Sequence, residues 1–169
     1  EGSKVQKLEE KLGIKGSSTA QIHLDKVKVP KENILGEFEK GFKVALSTLD
    51  GGRIGIAAQA LGIAEAAFRY ARQYATERVQ FGKPISHLQA IQFKIADMST
   101  KIEASRLLIE KASELKDTKK PYSKEAAQAK LFASEAAMWI TTQAIQTLGG
   151  NGYSKEYQVE RHFRGAKIC

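Results

Sequence analysis

The chain has 169 residues, with 27 Lys plus Arg against 19 Asp plus Glu and a net charge of +8. That length suits one domain able to bury roughly 70% of its unfolded surface, so a core needs no covalent staples. The single Cys169 excludes an internal disulfide framework, gives no zinc pattern or other metal site, and fits a reducing compartment.

No run approaches the roughly 20 apolar residues of a membrane helix, and Glu1-Gly2-Ser3-Lys4 does not read as a secretory leader. Neither a membrane protein nor a secreted one is expected. The basic balance favours an anionic partner: nucleic acid, an acidic membrane face or a phosphorylated small molecule. The charges are dispersed along helical patterns except for Lys116 to Lys120, read as a solvated turn. With no nucleic-acid recognition motif, a nucleic-acid partner is not expected.

Residues 1–37 differ from the rest of the chain. Gly13, Gly16, Ser17 and Ser18 are turn chemistry, and Ala20 to Val29 alternates polar and apolar with period two, which predicts one strand and part of a second, ended by Pro30. One or two strands cannot bury a face alone, so this segment reads as the end of a β-sheet that lies elsewhere.

A first long helix is predicted from Gly41 to Glu77, with Ile54, Ala57, Leu61, Ala64, Phe68 and Ala71 at alternating spacings of three and four and a soft spot at Gly51-Gly52. A second runs from Ser86 to Lys116 on Leu88, Ile91, Ile95, Met98 and Ile102. A third runs from Ser123 to Leu148, with Ala126, Ala129, Ala133, Ala136 and Ile140 on one face, small enough for close helix approach or an oligomer contact. Gly149-Gly150-Asn151-Gly152 stops it, and a short fourth helix spans Lys155 to Arg164. The fold class is mainly α, an antiparallel up-down bundle with a short β segment at its N-terminal end.

Four places have a local structural reading. Between the first two helices, Arg78-Val79-Gln80-Phe81-Gly82-Lys83-Pro84-Ile85 is either a plain corner or a phosphate grip, since a guanidinium forks onto phosphate oxygens. Phe81 at the same corner reads locally as ordinary core packing. Ser86 and Gln89 fit a capping box, and Gly149-Gly150 fits a left-handed helix cap. Arg53 has Asp50 as a salt-bridge partner on its own helix.

The ordered set Arg78-x-x-Phe-Gly-x-Pro-Ile85, Gln89-x-x-Gln92, Ile102 to Leu108, Lys124 to Lys130, Gln146-x-Leu-Gly-Gly-x-Gly-Tyr153 and Glu160-Arg161-x-x-Arg164 resembles the C-terminal helical domain of the acyl-CoA dehydrogenases. Leu12 to Thr19 and Val27-x-Val29-Pro30-x-x-Asn33-x-Leu35-Gly36 resemble the end of that family's middle β-domain. The short-chain and short-branched-chain members are the nearest likeness. The resemblance implies residues 1–37 from the β-domain and 38–169 as the helical bundle without its final helix.

It further implies FAD-dependent α,β-dehydrogenation of an acyl-CoA, with electrons passed to an electron-transfer flavoprotein by a dimer of dimers. The compartment would be bacterial cytoplasm or the mitochondrial matrix. FAD would be held by Arg78, Phe81, Gln89, Gln146, Thr147, Leu148, Gly149 and Gly150, largely for a neighbouring subunit; acyl-CoA would meet Asp50, Gly51, Gly52 and Arg53. Relatives that carry the catalytic glutamate near the first helix have it where this chain has Gly52. In the short-chain type it follows an Asp-Ala-Lys-Ile segment, here Gly165-Ala166-Lys167-Ile168, so it would fall beyond Cys169 and no catalytic residue is assigned. Gly165 departs from the family's aspartate and Gln158 from its proline. A truncated, inactive chain is the resulting expectation; the alternative is a non-enzymatic helical module that oligomerises or binds anions.

Overall fold

The computed structural model describes residues 2–169. Its N-terminal part is a hairpin of β1 (Ser3–Leu8) and β2 (Ala20–Leu24), paired antiparallel with Val5 opposite Ile22 and an irregularity between Val5 and Leu8. The strand expected to reach Val29 ends at Leu24, because Lys26 turns the chain at a φ of 50°. Its partner is the upstream segment Ser3–Leu8, where the sequence shows only Val5 and Leu8 as apolar residues. Val5, Leu8, Ile22 and Leu24 are all exposed, so the hairpin buries no face of its own.

The rest is a helix bundle of α1 (Gly41–Glu77), α2 (Gln89–Asp117), α3 (Ser123–Leu148) and a short α4 (Val159–Ala166). α1 is unbroken at Gly51-Gly52, against the expected soft spot. α2 starts three residues later than Ser86, after a 3₁₀ turn at Ile85–His87. α4 begins at Val159 rather than Lys155, following a 3₁₀ turn at Gly149–Tyr153. No helix among the described residues is long and apolar enough to cross a membrane.

α1 and α3 form the principal pair. Ala57, Ala60, Ala64, Ala67 and Ala71 of α1 are buried against a facing stripe of Ala129, Ala133, Ala136, Ala137, Ile140 and Ala144 on α3. Alanine leaves no rotamer entropy to lose and lets helix axes approach closely. The larger members of the expected α1 stripe, Ile54, Leu61 and Phe68, flank this seam and are partly buried. α2 closes the bundle with Met98, Ile102 and Ile109. Buried hydroxyls cap onto their own helices: Ser105 donates to Lys101 O at 2.7 Å and Thr141 to Ala137 O at 2.8 Å. Among the described residues no buried side-chain polar atom lacks a partner.

Candidate functional site

The seam ends at two turns that meet. α1 closes at Glu77, and Arg78 leaves it in extended conformation, its N–H donating to Tyr74 O at 2.8 Å. The following segment is a small hairpin, β3 (Val79–Gln80) against β4 (Lys83–Pro84), clamped by Ile85 N donating to Arg78 O at 2.8 Å. Its two central residues, Phe81 and Gly82, have φ of 54° and 75°. Paired positive φ values give a turn whose twist matches flanking antiparallel strands. Glycine adopts that backbone freely, whereas a bulky residue carries a cost of about 1–2 kcal/mol. Phe81 is nonetheless 86% exposed, so the core-packing reading does not hold.

On the other side, Gly149 ends α3 at φ 61°, ψ −135°. This is a glycine-only region but not the left-handed helical cap that the Gly-Gly pair suggested. A Cβ on Gly149 or Gly150 would meet nothing within 4 Å, so the space above them is open. Gly152 is different: a Cβ there would lie 2.4 Å from Ile145 O, packing this turn onto α3. Asn151 Nδ2 donates to Tyr74 Oη at 2.9 Å, and the Tyr74 ring meets Tyr157 edge-on at 6.2 Å. These contacts tie the glycine turn to the last turn of α1.

Between the turns lies a pocket of about 320 Å³ that brings Arg78 together with Gln146, Thr147, Leu148, Gly149 and Gly150. Sequence reasoning missed four further members: Tyr74, Gln80, Ile85 and Asn151. Tyr74 stands one helical turn before Arg78, a spacing that could have flagged it. Arg78 has no carboxylate partner among the described residues. Its chain neighbour Glu77 instead accepts from Gln73 Nε2 at 2.9 Å. Thr147 spends its hydroxyl on Gln143 O at 2.8 Å, while Lys94 Nζ holds Gln143 Oε1 at 2.6 Å. Gln146 stays exposed. α1 and α3 both end here, and their carbonyl ends favour the Arg78 cation. An anionic ligand is therefore attracted by the guanidinium itself rather than by the helix dipoles.

Two expected members lie apart from this pocket. Phe81 stands at the hairpin tip, outside the lining. Gln89 is the exposed first residue of α2, and the capping box does not form: Leu88 occupies the cap position without a side-chain bond. The helix entry is instead held by Gln92 Nε2 donating to Ser86 O at 3.0 Å.

Asp50, Gly51, Gly52 and Arg53 form a separate cluster, about 40 Å along α1 from Arg78 at 1.5 Å per residue. Arg53 Nη1 is bonded to Asp50 Oδ1 at 2.5 Å, which is the local salt bridge the sequence allowed. A Cβ on Gly51 would lie 3.6 Å from Lys116 Nζ and 4.0 Å from Tyr122 Oη, so the α2–α3 corner overhangs this cluster. Gly52 is exposed and brings no carboxylate.

The family model for the acyl-CoA dehydrogenase C-terminal domain matches residues 39–169. The mitochondrial short-chain specific acyl-CoA dehydrogenase of Bos taurus is 58% identical over 162 residues, covering 96% of this chain and 39% of the relative. The solved structure of butyryl-CoA dehydrogenase from Megasphaera elsdenii superposes with a TM-score of 0.97 at 56% identity, over 99% of this chain and 44% of that one. A chain from a structure described as the electron transferring flavoprotein of Acidaminococcus fermentans gives a TM-score of 0.96 at 54% identity, again over 99% and 44%. The chain thus spans less than half the length of these relatives. It belongs to the acyl-CoA dehydrogenase family, with the short-chain, butyryl-CoA dehydrogenase-like members among its relatives.

Proposed function

We propose that this chain is the helical part of an FAD-dependent short-chain acyl-CoA dehydrogenase, and that the Arg78 pocket receives the phosphate and adenosine end of FAD. The observation that carries this is the convergence of an unpaired arginine and two open glycines, from turns far apart in sequence, on one pocket. Arg78 would hold the pyrophosphate, and Gly149 and Gly150 would admit the cofactor close to backbone. When bound, the flavin supplies hydride acceptance from the β-carbon of the acyl group. The chain's own residues contribute binding and orientation.

Phe81 and Tyr153 are 86% and 91% exposed, which supports a neighbouring subunit completing this region in a dimer of dimers. The Asp50–Arg53 cluster, overhung by Lys116 and Tyr122, is the proposed acyl-CoA contact. Electron-transfer flavoprotein is the proposed electron acceptor, in bacterial cytoplasm or the mitochondrial matrix. A polypeptide of these residues alone is proposed to be inactive. Gly52 offers no base, and Asp50 is held by Arg53. Loss of a general base removes about 10²- to 10⁴-fold of rate.

The test is FAD titration into the purified chain, followed by flavin absorbance and fluorescence, together with assay of butyryl-CoA oxidation. Saturable FAD binding that weakens in Arg78→Gln, with no turnover, is expected. Binding indifferent to Arg78 would overturn the site assignment. Turnover by the mass-verified chain would overturn the inactivity. Absence of any flavin binding would favour a helical module without a cofactor.

A further inference from the structure

A larger cavity, about 530 Å³, lies between the Gly13–Gly16 loop and α4 and shares no residue with the Arg78 pocket or the Asp50–Arg53 cluster. Its lining holds Lys15, Arg161, His162 and Arg164 and not one carboxylate. Glu160 answers Arg164 from outside, accepting from Nε at 2.6 Å and Nη2 at 3.0 Å. Lys15 and Arg161 have no ion pair among the described residues. His162, half-buried beside them, has its pKa lowered by burial and then by the Arg161 charge. Lys15 and Arg161 are both exposed and face this open cleft together, so an anion entering it meets two cations that no carboxylate answers.

The walls are braced. A Cβ on Gly13 would lie 2.3 Å from Arg164 O, so the loop lies directly on the α4 backbone. Arg164 Nη1 donates to Leu12 O at 2.8 Å, Ser17 N to Ile14 O at 3.1 Å, and Lys11 Nζ to Ser17 O. Gly165 is not explained in the same way. It sits in α4 without a positive φ, and a Cβ there would make ordinary contacts, 3.5 Å to Ile14 Cδ1 and 3.8 Å to Ile63 Cδ1. Neither backbone nor crowding requires glycine, although glycine inside a helix is the poorest former after proline. What its bare backbone does is leave the cavity open beside the cations.

We infer that this cavity is a second anion site, independent of the Arg78 pocket, which takes a phosphate group through Lys15 and Arg161 with Arg164 as a fixed wall. Phosphate suits it better than a single carboxylate, since two uncommitted cations face one space and a phosphate carries about −1.5 to −2 charges with three acceptor oxygens. Ile14 and Ile63 line the remainder, so a phosphomonoester with a small carbon body fits as well as the free ion.

The test is a titration of the 169-residue chain with inorganic phosphate, and separately with ribose 5-phosphate, at constant ionic strength, read by backbone amide shifts in NMR. Saturable shifts at Gly13, Gly16 and Gly165 are expected with either probe, and a tighter ester would identify an ester as the natural occupant. Lys15→Gln with Arg161→Gln should weaken phosphate binding about tenfold or more, the worth of one charge-assisted hydrogen bond. Gly165→Asp, which puts a carboxylate into the cavity, should abolish the response, whereas Arg78→Gln should leave it intact. Undiminished phosphate affinity in the Lys15/Arg161 double variant, or shifts confined to the amides of residues 78–85 and 146–151, would overturn the assignment.

Discussion

Phe81→Asn isolates what the hairpin tip contributes. Phe81 holds a φ of 54° at the first of two left-handed positions, with Gly82 at 75° behind it. A bulky side chain there costs about 1–2 kcal/mol, and asparagine is one of the few residues that tolerates the conformation. Against that gain stands lost burial. Phe81 is 86% exposed, so only about a seventh of the roughly 1.5–3 kcal/mol of a fully buried side chain is forfeited, or about 0.3 kcal/mol. The turn sequence becomes Asn-Gly, the preferred pair for this geometry. The net expectation is a gain of about 1 kcal/mol, which for a chain this long is a rise in Tm of about 2–4 °C. Urea denaturation with a constant m-value measures the first figure and calorimetry the second. A destabilised Phe81→Asn would show that the ring packs within the chain and would refute both the strain argument and the exposed role.

Arg78→Gln should weaken FAD binding about tenfold or more while leaving Tm within about 1 °C, because the side chain has no ion-pair partner among the described residues to lose. Gly152→Ala should destabilise by about 1–3 kcal/mol, as its Cβ would press on Ile145 O, whereas Gly150→Ala should be tolerated by the fold and lower flavin affinity instead. His162 supplies a pH test. Its folded pKa is lowered, so the unfolded chain binds the proton more readily, and the stability of the neutral imidazole is present above the unfolded pKa of about 6.5 and lost as pH falls below it. Stability from urea melts should decline between about pH 7 and 5. His162→Gln should flatten that slope, and an unchanged slope would remove His162 as its cause.

The helices were legible because their periodicity is written locally. The α3 alanines at 126, 129, 133 and 136 point to one side whatever surrounds them, and all are buried. Boundaries that depend on distant partners were not. β1 carries only two apolar residues, and it becomes a strand because Val5 finds Ile22 across a long connection. The Ser86–Gln89 capping box is a valid local pattern that lost to a 3₁₀ turn, which moved the helix start past it. At the candidate site, Arg78 and the Gly149–Gly150 turn are singled out through the family resemblance, since their local chemistry alone fits a helix corner and a helix cap equally well, and the fold brings them to one pocket. Tyr74 and Asn151 are not, and the one-turn spacing from Arg78 is the weak local signal that Tyr74 carries. A tyrosine on an apolar helix looks like core, and only the fold reveals that its hydroxyl reaches the glycine turn.

That hydroxyl links the bundle to the site. The α1–α3 seam is built from alanines, whose single methyl groups have no rotamers through which the two helices could slide. The seam runs toward its helix ends, to Ala71 in α1 and to Ala144 and Leu148 in α3, ahead of Arg78 and Gly149. The distance between the arginine and the glycine turn is therefore fixed by the seam rather than by the loops themselves. Tyr74 to Asn151 is the last fastening across it. Enlarging a seam alanine should widen the pocket without touching any residue that lines it. The glycines of the chain divide along the same logic. Gly13 and Gly152 are glycine because backbone already occupies the place of a Cβ, Gly149 because its φ of 61° suits no side chain, and Gly150 has open space above it with neither demand. Gly13 and Gly152 hold the structure closed, and the open space at Gly150 is where the proposed cofactor would come close to backbone.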